Sequence, residues 1–314
     1  MRLLGSLLAA AALLALAACG KGGEAPKPGA AGAGGTQKVI GVALRTRSHD
    51  FYKDLEAGLA EEAGRRGFRL VVQAADDDLT AQARQIEDFV TKKVDAIVLI
   101  PVESNTVAAA LKGAAAAKIP VFTADIAANG ADVVSHVASD NHQGGRLAGE
   151  AMAKFLGGKG KVVVIDQPSV SSVQDRVRGF EEAIKGHPGI EIVGKPAGGG
   201  ERVKAQAVME DALTRHADLS GAFGINDDSA LGALRAVEQA GRTGLVIIGY
   251  DANPEAREAI LRGSALKADV VQYPRQIGAK TIDAVARHLA GEKVEKITPV
   301  EVGTVDAQSL AKAK

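Results

Sequence analysis

The chain lacks almost everything that marks a catalyst or a nucleic-acid reader. Cys19 is its one cysteine, so no intramolecular disulfide can form and no cysteine-based zinc site can be built. Tryptophan is absent and aromatics make up 3%, which argues against base stacking as a route to single strands. Lys+Arg and Asp+Glu are both 38, so no net positive field draws a nucleic acid, and no such partner is expected. There is no G-x-S-x-G, no G-x-x-x-x-G-K-[ST] and no H-E-x-x-H, and no two histidines stand four apart. No catalytic residue, metal site or cofactor is therefore expected.

What is present begins with an address. Arg2 precedes an apolar stretch over residues 3–18, shorter than the roughly 20 residues of a spanning helix. A basic start and a short apolar run read as a secretory signal over 1–18. The stretch closes on Leu16-Ala17-Ala18-Cys19-Gly20, which resembles the lipobox of bacterial lipoproteins. That resemblance implies lipidation of Cys19 and a membrane anchor, at the periplasm or the cell surface. Residues 19–37 read as a Gly/Ala/Pro tether, with a coil reach of roughly 23 Å.

From residue 38 short apolar runs alternate with helical stretches. Strands are expected at Val39–Leu44, Arg69–Gln73, Ala96–Ile100, Val121–Thr123, Val133–Val137, Val162–Ile165, Ile190–Val193, Gly221–Ile225, Leu245–Gly249 and Ala265–Val271. Phe51, Leu55, Leu59 and Ala63 share a helix face, and Gly67 fits that helix's end. Leu147, Ala151 and Phe155 form another stripe, opened by Asp140 or Asn141 as a cap. The fold class is α/β: near-continuous apolar strands between helices predict parallel sheets covered on both faces. The βα units recur before and after Ser139, which predicts two doubly wound lobes.

Ligands of such sheets bind beyond the strand carboxyl ends. The residues there include Arg45 to Tyr52, Asp125, Asp166 with Arg176 further on, Asn226 to Asp228, Tyr250-Asp251 and Gln272. Ionised groups make strong hydrogen bonds to hydroxyls and aromatic rings cover C–H faces, so the set suits a polyhydroxylated ligand. Taken singly, an Asp or Asn after a strand is usually a helix cap. Asp76-Asp77-Asp78 reads as a solvated cap, Gly198-Gly199-Gly200 as a flexible connection and Lys92-Lys93 as a solvated helix end.

These residues resemble the periplasmic sugar-binding proteins of the ribose-binding type, the substrate-binding subunits of ABC transporters. The stretches that carry the resemblance are Val133–Asn141 with Gly144-Gly145 and Ala148-Gly149, Asn226-Asp227 with Ala230–Ala236, Gly249-Tyr250-Asp251, and Gln276–Lys280. It implies two lobes of the periplasmic binding protein-like I type joined by a multi-strand hinge. The N-terminal lobe would be 38–139 plus 273–301 and the C-terminal lobe 140–272 plus 302–314. It implies a monomer that closes on a sugar and docks on a membrane permease.

Carried over by position, Phe51 and Tyr52 face the sugar ring. Asp125, Arg176, Asn226, Asp251 and Gln272 bind hydroxyls, and Tyr250 stands where phenylalanine is usual. Ile100 and Ile126 replace an asparagine and an arginine, while Arg45 and His49 stand in place of a serine and an asparagine. Gly200 falls near the place of a stacking aromatic. The expectation is a guanidinium moved from position 126 to 45, and a sugar-like ligand other than plain ribopyranose, either larger or acidic. The alternative leaves Arg45 and His49 in solvent and ribose as the ligand. A ligand sensor for a chemoreceptor or kinase is the rival function. A sugar-converting enzyme lacks a nucleophile–base set, and a repressor of this fold would carry a helix-turn-helix where this chain has its signal.

Overall fold

The computed structural model describes residues 37–312. The signal, Cys19 and the tether up to residue 36 lie outside the described residues. Among the described residues no helix is long and apolar enough to cross a membrane.

The chain opens with β1 (Val39–Leu44), α1 (Asp50–Arg65), β2 (Arg69–Ala74), α2 (Leu79–Thr91) and β3 (Ala96–Leu99). A short 3-10 turn leads to α3 (Lys112–Ala116), β4 (Val121–Ala124) and β5 (Ser135–Ser139). Then come α4 (Asn141–Leu156), β6 (Lys159–Ile165), α5 (Ser171–Lys185), β7 (Gly189–Gly194), α6 (Arg202–Arg215) and β8 (Leu219–Gly224). They are followed by α7 (Asp227–Gln239), β9 (Val246–Asp251), α8 (Pro254–Leu261), β10 (Leu266–Val271) and α9 (Pro274–Leu289). The last elements are β11 (Ile297–Val300), β12 (Gly303–Asp306) and α10 (Ala307–Lys312).

All ten expected strands form, with β1 as expected and no other end moved by more than three residues. They build two sheets of the same winding, β11-β5-β4-β3-β1-β2 and β12-β10-β9-β8-β6-β7. Every pairing is parallel except β10 with β12. The central strands are buried on both faces, as continuous apolar runs require. Sequence patterning missed β11 and β12. Each is four residues long and lies at a sheet edge, and Pro299 sits inside β11, where an edge tolerates it.

The chain changes sheet three times: after β5, after β10 and between β11 and β12. Helix ends follow the sequence closely. Asp140 caps α4 by accepting from the Gln143 N–H at 3.0 Å, and Gly67 takes a φ of 69° just past α1. Lys92 and Lys93 close α2, both exposed.

Candidate functional site

Both sheets aim their strand carboxyl ends at one cleft. Its centre is a cavity of about 440 Å³, mouth included. Nine expected residues line it: Arg45, His49, Phe51, Tyr52, Asp125, Arg176, Asn226, Asp251 and Gln272. The first five come from the side of β1 and β4, and the rest from the side of β6, β8, β9 and β10. Tyr250 does not line it. Strand alternation turns this side chain behind the wall, fully buried, where its ring lies 3.9 Å beneath the Arg176 guanidinium. Its hydroxyl donates to Asn141 Oδ1 at 3.3 Å, so it supports Arg176 rather than facing a ligand.

Arg176 reaches the cavity from α5, which crosses α4 at close range. A Cβ on Gly145 would stand 2.0 Å from the Arg176 carbonyl oxygen, and one on Gly179 2.1 Å from that of His142. Only glycines let the two helices approach so far. The guanidinium then donates from Nε to Asn141 Oδ1 and from Nη1 to the Ile225 carbonyl, both at 2.8 Å. The guanidinium also lines the cavity.

Arg45 and His49 do not point to solvent. Arg45 is 7% exposed, and its Nε donates to Asp77 Oδ1 at 2.6 Å. Asp77 is thus not a solvated cap residue: Asp78 caps α2, while Asp77, at a φ of 64°, turns back on Arg45. His49 Nδ1 lies 2.6 Å from Asp228 Oδ2 on the opposite side of the cleft. Burial favours the neutral imidazole, but the hydrogen bond and charge of Asp228 outweigh it and hold the pKa above its ordinary value. Asp228 in turn accepts from Arg202 Nε at 3.0 Å. Ile126 is buried in the apolar core and off the cavity wall.

Two acceptors in the cavity are orphaned. Asp125 Oδ1 and Gln272 Oε1 are buried and unpartnered. The other Asp125 oxygen accepts from the Tyr52 hydroxyl at 3.3 Å, and Gln272 Nε2 donates to Asp251 Oδ1 at 2.6 Å. Burial pushes the Asp125 carboxyl up, against the pull of Arg176 and Arg45. Tyr52 and Phe51 meet edge to face with centroids 5.2 Å apart, supplying apolar ring surface.

Sequence reasoning missed Gln167, Ser172 and Ile225 on the wall. The position of Gln167, two residues past β6, was the available signal; Asp166 instead stays off the wall and accepts from the Gln167 N–H. The three glycines after β7 form a shaped turn rather than a free connection. Gly200 has a φ of 71°, its carbonyl accepts from Asn226 Nδ2 at 3.0 Å, and a Cβ there would stand 2.7 Å from Gln167 Oε1. Across the cleft the Ser171 N–H donates to Ser104 Oγ at 2.9 Å and the Ser104 N–H to the Ser169 carbonyl at 3.2 Å, so the two sides are in contact. Among the described residues no group of three metal-type side chains gathers.

The profile of the periplasmic binding protein domain matches residues 40–293. The ribose import binding protein RbsB of Salmonella typhimurium is 35% identical over 271 residues, 86% of this chain and 91% of that protein. The D-apiose import binding protein of Actinobacillus succinogenes is 32% identical over 74% of this chain and 76% of its own. An ABC transporter solute-binding protein from Agrobacterium vitis, solved with α-D-tagatopyranose bound, superimposes with a TM-score of 0.83 at 28% identity, covering 87% of this chain and 96% of that one. These relatives are solute-binding proteins rather than enzymes, and the chain belongs to the periplasmic binding protein family, with the ribose-type sugar-binding proteins of ABC transporters.

Proposed function

We propose that the cleft captures a neutral, single-ring sugar or polyol and that the closed protein delivers it to a membrane permease. The observation that carries this is the pair of orphaned acceptors, Asp125 Oδ1 and Gln272 Oε1, beside guanidinium donors and two aromatic rings. Sugar hydroxyls donate to both of these oxygens and accept from the guanidiniums. An acidic ligand is disfavoured, because three carboxyl groups, Asp77, Asp125 and Asp251, stand against two guanidiniums, Arg45 and Arg176. A larger ligand is disfavoured too, because Gln167 occupies the space beside Gly200.

The site residues are the nine on the wall, with Tyr250 behind Arg176. The lobes divide as 38–139 plus 273–301 and 140–272 plus 302–314. In support, β11 joins the first sheet, β12 the second, and α9 lies against α1. Family membership implies an extracytoplasmic location. We add the finer reading that Cys19 is lipidated, so the protein works as a membrane-tethered monomer. Replacing Cys19 with serine should release it from the membrane fraction.

A thermal-shift screen with pentoses, hexoses, polyols and sugar acids tests the ligand class, because a ligand of the folded form raises the melting temperature by mass action. Shifts with neutral sugars alone are expected. A shift with sugar acids alone would overturn the reading.

A further inference from the structure

Behind Asp251 lie two carboxyl groups that no sugar reaches. Asp227, at the start of α7, and Asp269, in β10, are 1% and 0% exposed. Each spends one oxygen on the backbone just past β9. Asp269 Oδ1 accepts from the Ala252 N–H at 3.0 Å, and Asp227 Oδ2 accepts from the Asn253 N–H at 2.7 Å. The other two oxygens, Asp227 Oδ1 and Asp269 Oδ2, are buried with no N–H donor. The two carboxyls hold consecutive N–H groups, at 252 and 253, so they lie side by side and each adds like charge to the other. Two carboxylates only accept, so a hydrogen bond between the two free oxygens requires one proton between them.

The chain makes room for this pair. Asp269 is the ladder partner of Gly249, where a Cβ would stand 2.2 Å from Asp269 Oδ2. The backbone held by the pair is strained: Asp251 has a φ of 117° and Ala252 a φ of 55°, neither being glycine. Asp251 is the residue that this turn presents to the cavity, where it accepts from Gln272.

We propose that Asp269 is a positioning residue: sharing one proton with Asp227, it clamps the strained turn at 251–253 and so aims the Asp251 carboxylate at the ligand. The inference rests on the reading of the cavity as the sugar site. The proton is held because burial disfavours a second charge and Asp251 adds like charge nearby. The charged groups facing the pair are Asp251 from β9 and Arg257 from α8, whose Nε donates to the Ala252 carbonyl at 2.6 Å. From β12 the facing residue is the uncharged Val305. Both acids bind their proton more tightly folded than unfolded. Their contribution is therefore complete in acid and is lost as pH rises through the folded-state values.

The experiment compares the wild type with Asp269→Asn and Asp269→Ala at pH 5.5 and 8.5. Urea unfolding and calorimetric titration with D-ribose are read for each. Asparagine supplies a permanent N–H to Asp227, so it should keep the clamp while removing the shared proton. The expected result is that wild-type stability falls more between the two pH values than that of Asp269→Asn, with the ribose dissociation constant rising several-fold more in the wild type than in Asp269→Asn. His49 is present in both, so its titration cancels in the comparison. Asp269→Ala should bind at least tenfold more weakly at both pH values, with rescue by asparagine. Equal pH dependence of stability in wild type and Asp269→Asn would overturn the clamp, as would undiminished binding by a folded Asp269→Ala. Ribose binding to none of the three, with the difference in stability intact, would uphold the clamp and overturn ribose as the ligand.

Discussion

Arg45 and Asp77 form an ion pair, 2.6 Å from Nε to Oδ1, in which the arginine belongs to the cavity wall and the aspartate does not. A guanidinium can thus offer hydrogen bonds to a sugar without offering it a net charge. Removing the aspartate's charge should therefore change what binds. Asp77→Asn is expected to raise affinity for D-ribonate relative to D-ribose by on the order of tenfold, the worth of one charge-assisted hydrogen bond. Titration of both ligands into both proteins measures it, and an unchanged ratio would show that Arg45 does not meet the ligand's charge.

The ion pair between His49 and Asp228 bridges the cleft, so it stabilises only the closed arrangement. In that arrangement His49 holds its proton more tightly than a free imidazole does, because Asp228 outweighs the cost of burial. Closure then takes up protons. The benefit is complete below the ordinary value of 6.5 and fades as pH rises through the raised one. Sugar affinity should fall roughly threefold to tenfold between about pH 6 and pH 9 on this account. His49→Asn should lose that part of the dependence, and calorimetry across the pH range would reveal a slope that persists.

The α4–α5 crossing sets the reach of Arg176. Gly179→Ala forces a methyl against the His142 carbonyl, a clash that only helix displacement relieves. A cost of about 1–3 kcal/mol is expected, with a melting temperature lowered by several degrees. Sugar affinity should fall with it, because Arg176 moves with α5. Differential scanning calorimetry and ligand titration on the same variant test both parts.

Tyr250 separates support from contact. Tyr250→Phe keeps the ring beneath Arg176 and loses one long hydrogen bond to Asn141, so affinity should change by less than about fivefold. Tyr250→Ala removes a fully buried ring and should cost roughly 3–5 kcal/mol of stability. A large loss of affinity in the phenylalanine variant would mean that the hydroxyl, not the ring, holds Arg176 in place.

Much of this was legible in the residue order because the strands are apolar throughout and the site residues follow them directly. Asp125, Asn226 and Asp251 stand at strand ends, so reading one strand at a time located them. What escaped depends on partners distant in sequence. Asp77 sits in a run of three acids, and nothing local tells which of them caps α2 and which turns back on Arg45. Tyr250 neighbours Asp251, but alternation along β9 sends one side chain inward and the other to the cavity. The pairing of Asp227 with Asp269 joins a helix start to a strand interior, and neither position looks unusual alone. The edge strands β11 and β12 carry too few apolar residues to announce themselves.

The threefold exchange between sheets also sets a timetable. β11 lies beside β5, and the Ser135 hydroxyl at the start of β5 donates to a carbonyl 160 residues later in the chain. The first sheet cannot be completed as it emerges from the ribosome: its last strand arrives only after the second sheet's β10 has been made. Such distant pairing slows folding. The first sheet therefore stays one strand short until residues 297–300 have been synthesised.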